Sequence, residues 1–216
     1  MIMNPIRNWN IQAVLLDIDD TLYLERDYVR SGFAAVGRAI DNPSFGELCL
    51  EYFRQGIRGN TFDLAREKLG ITREIAELVE LYRCHRPEIQ LCEDARAFLE
   101  TCRLRMGVIS DGPIASQRAK MQALGLLTWI DLPLFTTEIR APKPSENPFI
   151  LAAMALDTPF VQCVYIADNP HKDFIGAHNL GMHTIRIRRP DSLHFGIESG
   201  DDVDLELADF TDLLND

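Results

Sequence analysis

The chain has 216 residues, 46% of them apolar and 25% charged, a globular composition that argues against a disordered chain. The length suits one domain, or one domain carrying an insertion, with a core large enough to fold without a metal or disulfide staple. A net charge of −11 disfavours nucleic acid and anionic membranes as partners, though a locally positive site could still take an anionic metabolite.

In chain order, the stretch MIMNPIRNWN has no long apolar run, and no later segment approaches the length of a membrane span, so neither a leader nor a transmembrane helix is expected. Ile11–Ile18 (IQAVLLDI) is short, apolar and followed by acids. It predicts a buried strand of a parallel sheet. Residues 22–91 then contain no convincing strand. Arg26–Ile40, Phe45–Gln55, Phe62–Leu69 and Arg73–Cys84 read as amphipathic helices broken at Asn42-Pro43, Gly56, Gly59-Asn60 and Gly70. A crossover between parallel strands needs only a dozen or so residues, so 22–91 is an inserted helical subdomain, and residues 1–21 plus 92–216 form the core.

From Glu93–Cys102, a helix, the pattern alternates. Strands are predicted at Leu104–Ile109, Leu132–Thr136, Cys163–Ala167 and His183–Ile187. Helices are predicted at Pro113–Leu124, at Ser145–Leu156 with Ser145 as its cap, and at Lys172–Leu180. This is a doubly wound α/β protein with a parallel sheet. Glu198–Asp204 reads as a solvated loop and Leu205–Leu214 as packing at an edge. Cys49, Cys84, Cys92, Cys102 and Cys163 are odd in number and lack C-x-x-C spacing, which suits free thiols in the cytoplasm. The five histidines share no metal-ligand spacing and read as surface or packing residues, although His171 could reach the edge of a site.

Ligands of open α/β sheets bind beyond the carboxyl ends of the strands. Those ends carry Asp17-Ile18-Asp19-Asp20-Thr21, then Ser110-Asp111-Gly112, then Ala141-Pro142-Lys143-Pro144, then Asp168-Asn169-Pro170-His171-Lys172-Asp173. Asp17, Asp19, Asp168 and Asp173 cannot converge while all are ionised and unpaired. A hard divalent cation resolves the repulsion, and Mg²⁺ suits oxygen ligands shared with phosphate and water. Lys143 offers a point charge to a phosphate oxygen, and Ser110 and the Asp111 N–H offer hydrogen bonds. Asp17 and Asp19 share one side of an extended chain, so one can attack phosphorus while the other exchanges a proton with the leaving oxygen and with water. Held on a metal, Asp17 is expected to stay ionised, and Asp19 is expected to be the acid that can hold a proton. A calcium loop does not fit, because Leu22 stands where glycine is needed and Tyr28 where glutamate is needed.

D-x-D-x-T, then Ser, then Lys-Pro, then D-x4-D, in this order, resemble the four motifs of the haloacid dehalogenase (HAD) superfamily in its phosphatase branch. The helical insertion resembles that family's C1-type cap. The resemblance implies Asp17 as nucleophile and Asp19 as acid and base. It implies Mg²⁺ held by Asp17, the Asp19 carbonyl and Asp168, with Asp173 in support. It places Ser110 and Lys143 on the phosphate of a small phosphorylated substrate, and Thr21, Asp111, Gly112 and Asn169 around it. Arg54 and Arg58 are the candidate contacts from the insertion, with Tyr23, Tyr28 and Phe62 as candidate cavity lining. Asp19 argues against the dehalogenase branch, since a carbon–halogen bond needs no proton for its leaving group. A phosphosugar mutase and a phosphometabolite-binding protein without turnover remain open alternatives.

Overall fold

The strands are buried on both faces at the centre of the sheet, which is why Ala13–Leu16 and Cys163–Ala167 read as apolar runs rather than alternating ones. In a computed structural model describing residues 8–214, they are β1 (Ala13–Leu16), β2 (Arg105–Ser110), β3 (Leu132–Phe135), β4 (Cys163–Ala167) and β5 (His183–Ile187), with a short β6 (Leu205–Leu207). Residues 1–7, part of the stretch expected to carry no leader, lie outside the described residues. All neighbouring strands pair in parallel, in the order β3-β2-β1-β4-β5-β6. The order reverses direction between β1 and β4, so a crevice opens beyond their carboxyl ends.

Val14 and Leu16 of β1 face one side of the sheet. There they join Phe98 and Leu99 of α5 (Glu93–Thr101) and Met121 and Leu124 of α6 (Ile114–Leu124) in one core. Ala13 and Leu15 face the other side. They join Phe149 and Ala152 of α7 (Asn147–Ala155) and Ala177 of α8 (Ile175–Asn179). The helix α9 (Thr211–Leu214) buries Leu213 against the first core. The expected edge packing of Leu205–Leu214 is therefore present, with β6 as the edge strand.

Between β1 and β2 lie α1 (Glu25–Ala39), α2 (Pro43–Arg54), α3 (Thr61–Leu69) and α4 (Ile75–Arg83). They have a core of their own, built from Val29, Phe33, Val36, Phe45, Leu48, Ala65 and Leu78. Pro43 starts α2, where its missing N–H costs nothing, and Asn42 caps that helix by accepting from the Phe45 N–H at 3.2 Å. α1 and α2 approach closely at Gly46, where an added Cβ would lie 2.4 Å from the Phe33 carbonyl oxygen.

The elements differ from expectation mainly at their ends. β1 is shorter than Ile11–Ile18, and α8 begins at Ile175 rather than Lys172. The turn before α8 is held open because the Asp173 carboxylate accepts from the Asn169 N–H at 3.0 Å. Ser145 is not the helix cap. That position is Glu146, and Ser145 Oγ accepts from Asn147 N just inside the helix. The Glu198–Asp204 loop is tied down rather than merely solvated, because Asp204 accepts from the Thr184 N–H and Glu198 pairs with Arg188. No helix among the described residues is long and apolar enough to cross a membrane.

Candidate active site

The four strand-end segments do meet. A cavity of about 620 Å³ lies between the sheet's carboxyl edge and the four inserted helices. Asp17, Asp19, Ser110, Asp111, Gly112, Asp168, Asn169 and Asp173 line its floor, and Arg58 lines its roof. Tyr28 and Phe62 also face it, as expected of them, whereas Tyr23 sits beneath it. Arg54 does not reach the cavity. It occupies the exposed last turn of α2, outside the cavity lining. His171 is likewise exposed and outside the cavity lining.

Lys143 is buried under the floor. Its ammonium donates to Asp17 Oδ1 at 2.7 Å and to Tyr165 Oη at 2.9 Å, and forms an ion pair with Asp173 Oδ1 at 2.7 Å. Carboxylate oxygens of Asp17, Asp168 and Asp173 lie within 4.8 Å of one another. One ammonium cannot balance three such carboxylates. Burial pushes the Asp17 carboxyl up to about 7. Lys143 opposes that rise, and the repulsion of Asp173, Asp19 and Asp168 adds to it. A compact, all-oxygen, electron-rich donor set of this kind fits a hard divalent cation.

Asp19 is set differently. Burial alone would raise its carboxyl. Lys120 Nζ, at 2.7 and 2.8 Å from its two oxygens, and a hydrogen bond from the Tyr23 hydroxyl hold it below the ordinary carboxylate value. In the protein alone the two carboxyls shift in opposite senses, Asp17 up and Asp19 down, which opposes the proton expected on Asp19; the ionised Asp17 was expected on a metal. The cause of the lowered Asp19 is Lys120, which the motif reading passed over. A signal was available: Ser116, Gln117 and Lys120 share the buried face of α6 with Met121 and Leu124, and a lysine on such a face needs an acid.

At the end of β2, Gly112 adopts φ +116°, which turns the chain sharply after Ser110 and Asp111. An added Cβ there would meet Gln117 Nε2 at 2.8 Å. That Gln117 amide donates to the Asp111 carbonyl at 2.7 Å and fixes the turn. The Asp111 carboxylate is fully engaged, by Thr136 Oγ1, the Lys143 N–H and Lys172 Nζ. Ser110 Oγ is buried at the cavity without a partner among the described residues, a donor still available for a ligand oxygen. Thr21 Oγ1 is also buried and has no partner among the described residues but lies off the cavity lining, while the Thr21 carbonyl accepts from Arg189. His194, expected to be a surface or packing residue, lines the cavity with Nδ1 2.9 Å from Asp168 Oδ2. Glu25, at the start of α1, completes the wall. Burial and the repulsion of Asp19 push its carboxyl up to about 8.

Fold and site together define a doubly wound α/β enzyme with an acid-built crevice at its switch point. The profile of the haloacid dehalogenase-like hydrolases matches residues 11–181. The chain belongs to that family, among its phosphoric monoester hydrolases. It is 30% identical to a phosphoserine phosphatase of Thermus thermophilus, over 83% of this chain and 89% of the relative. It is 28% identical to a glyceraldehyde 3-phosphate phosphatase of Methanopyrus kandleri, over 95% and 96%. The L-2-haloacid dehalogenase of Xanthobacter autotrophicus shares the fold with a TM-score of 0.68 at 19% identity, over 94% of this chain and 97% of that one.

Proposed function

We propose that this phosphoric monoester hydrolase uses Mg²⁺ and a phosphorylated Asp17 to hydrolyse a small phosphorylated metabolite in a cytoplasmic setting. The observation that carries the reading is the placement of Asp17 and Asp19 on one cavity wall, each bound by its own buried lysine. Lys143 occupies Asp17 Oδ1 and so orients the carboxylate for attack by its other oxygen. That oxygen attacks phosphorus and the ester P–O bond breaks. The leaving alkoxide takes a proton from Asp19, whose carboxyl rises once a phosphate dianion stands beside it. Water then attacks the phospho-Asp17, Asp19 takes the proton, and phosphate leaves with the original carboxylate restored.

Ser110 Oγ and the Asp111 N–H donate to phosphate oxygens, with Gly112 and Asn169 shaping the rim. Asp17, Asp168 and the Asp19 carbonyl would hold Mg²⁺, with Asp173 in support, and the ion supplies the charge that lets a dianion approach these acids. Thr21 and Lys143 act from below the floor.

We read residues 22–91 as a cap that closes over the crevice, a reading supported by the separate core of the four helices. From that roof, Arg58 is the contact for the leaving group. Its guanidinium stacks 3.7 Å from the Phe53 ring centroid and pairs with no carboxylate among the described residues. Five free cysteines support the cytoplasmic setting.

The test is a panel of sugar phosphates, nucleotides and phospho-acids with Mg²⁺. Turnover is expected for the wild type, and Asp17→Asn should abolish it. No turnover across the panel, or full turnover in Asp17→Asn, would overturn the proposal.

A further inference from the structure

The segment after β5 passes over the crevice and is anchored far more heavily than a surface loop requires. The guanidinium of Arg186, fully buried, donates from Nε to the Asp168 carbonyl at 2.9 Å and from Nη2 to the His194 carbonyl at 2.8 Å. One planar group thus sets the spacing between the backbone of a β4-end acid and the backbone of a residue 26 positions later. The Leu193 N–H donates to Asp20 Oδ2 at 2.7 Å, and Arg189 holds the Thr21 carbonyl, so the segment is also fixed to the first strand end. From this bracket the His194 ring reaches the cavity and places Nδ1 2.9 Å from Asp168 Oδ2. An ionised carboxylate only accepts, so Nδ1 carries the hydrogen and donates it. No other hydrogen bond among the described residues engages the Asp168 side chain.

We propose that His194 is the positioning residue for Asp168, fixing the rotation of its carboxylate so that one oxygen is held by the ring and the other is presented to the bound cation. This rests on the reading that Asp168 helps to hold Mg²⁺. A ligand carboxylate with a free torsion must be ordered each time the ion binds. One already hydrogen-bonded is ordered beforehand, and losing such a partner commonly costs 10–100-fold in metal affinity. His194 acts through Asp168 and is not itself a ligand. Asp20, the other acid beside it, accepts from the Glu25 and Leu193 N–H groups, one on each carboxylate oxygen.

The experiment is titration calorimetry with Mg²⁺ alone, without substrate, on the wild type, His194→Ala, His194→Phe, His194→Asn and Asp168→Asn, with melting in EDTA to establish folding. Alanine removes the donor. Phenylalanine removes it but keeps the ring, which covers the case in which alanine fails to fold. Asparagine places an amide N–H close to where Nδ1 stood. The expected result is Mg²⁺ binding about 10–100-fold weaker in the alanine and phenylalanine variants, with asparagine restoring it to within about threefold of the wild type. Wild-type affinity in the folded alanine or phenylalanine variant, with binding lost in Asp168→Asn, overturns the role of His194 and leaves the metal reading standing. Failure of asparagine to restore binding overturns it too. Wild-type affinity in Asp168→Asn, or no Mg²⁺ binding by the wild type, overturns the metal reading and this inference with it.

Discussion

Replacing Lys120 by methionine keeps the length and apolar stem of the side chain and removes only the ammonium. The Lys120 side chain is 5% exposed and that of Asp19 22%, so this pair is far less screened than a surface salt bridge. Across 2.7 Å, at an effective dielectric near 20, the gross attraction is about 6 kcal/mol, and the desolvation of both ions offsets much of it. Removing one partner of a buried pair costs about 3–5 kcal/mol. The lower end applies here, because Asp19 keeps the Tyr23 hydroxyl and some water. About 3 kcal/mol corresponds to a fall in Tm of roughly 6–12 °C for a chain of this size.

The pH dependence follows from the sign of the shift. In the wild type the folded Asp19 lies below its ordinary value, so its contribution is present above that value and is lost as pH falls through the lowered one. Without Lys120, burial is opposed only by Tyr23 and the more distant Lys143, and the carboxyl moves above its ordinary value. The variant then carries a charge penalty at neutral pH that is relieved as pH falls through the raised value. Glu25, which Lys120 also holds down, moves in the same sense. Urea unfolding in EDTA at pH 8, 6.5 and 5 should therefore show a stability gap that narrows toward acid. A gap that stays constant or widens, or a Tm within 2 °C of the wild type at pH 8 by a criterion of about 0.5–1 kcal/mol, would refute the reasoning.

Two further outcomes follow from the same geometry. The Asp17 carboxyl, raised to about 7 by burial and its neighbouring acids, must shed its proton before it can hold a cation. Mg²⁺ affinity should therefore fall by about tenfold per pH unit below that value, with one proton released on binding; calorimetry in buffers of different ionisation enthalpy reads both, and a flat affinity from pH 8 to 5.5 would contradict it. Gly46→Ala forces a methyl to within 2.4 Å of the Phe33 carbonyl and should destabilise the packing of α1 on α2 by about 1–3 kcal/mol, measured by urea unfolding.

What could be read from the sequence was local. IQAVLLDI and CVYIA announce doubly buried strands, and the acids, serine and lysine at strand ends follow from topology once the strands are placed. The unread part is non-local. Lys120 meets Asp19 across 101 residues of separation, and Lys172 meets Asp111 across 61. Helical spacing could mark Lys120 as buried but could not name its partner. His194 lies in a loop without periodicity, and its position is set by Arg186, a guanidinium buried within the strand HTIRI. A charged residue between Ile185 and Ile187 in a strand was the sequence signal that the following loop would be held in place. Arg54 was unreadable for the opposite reason: its proximity to Arg58 in sequence says nothing about direction at the end of a helix, and it is exposed outside the cavity lining.

The charge inventory of the crevice explains why a cation belongs there. Three ammoniums are already committed: Lys143 to Asp17 and Asp173, Lys120 to Asp19, and Lys172 to Asp111. Asp168 and Glu25 have no ammonium of their own among the described residues. Burial and the neighbouring acids push the carboxyls of Asp17 and Glu25 up, to about 7 and about 8, so both take up protons more readily. A phosphate dianion would add two charges that the paired lysines do not offset. A divalent ion among Asp17, Asp168 and Asp173 would displace the Asp17 proton, free the nucleophile and restore charge balance at once. The metal and the phosphate are therefore each the condition for the other's tight binding, and an anion such as phosphate should bind this protein measurably only when Mg²⁺ is present.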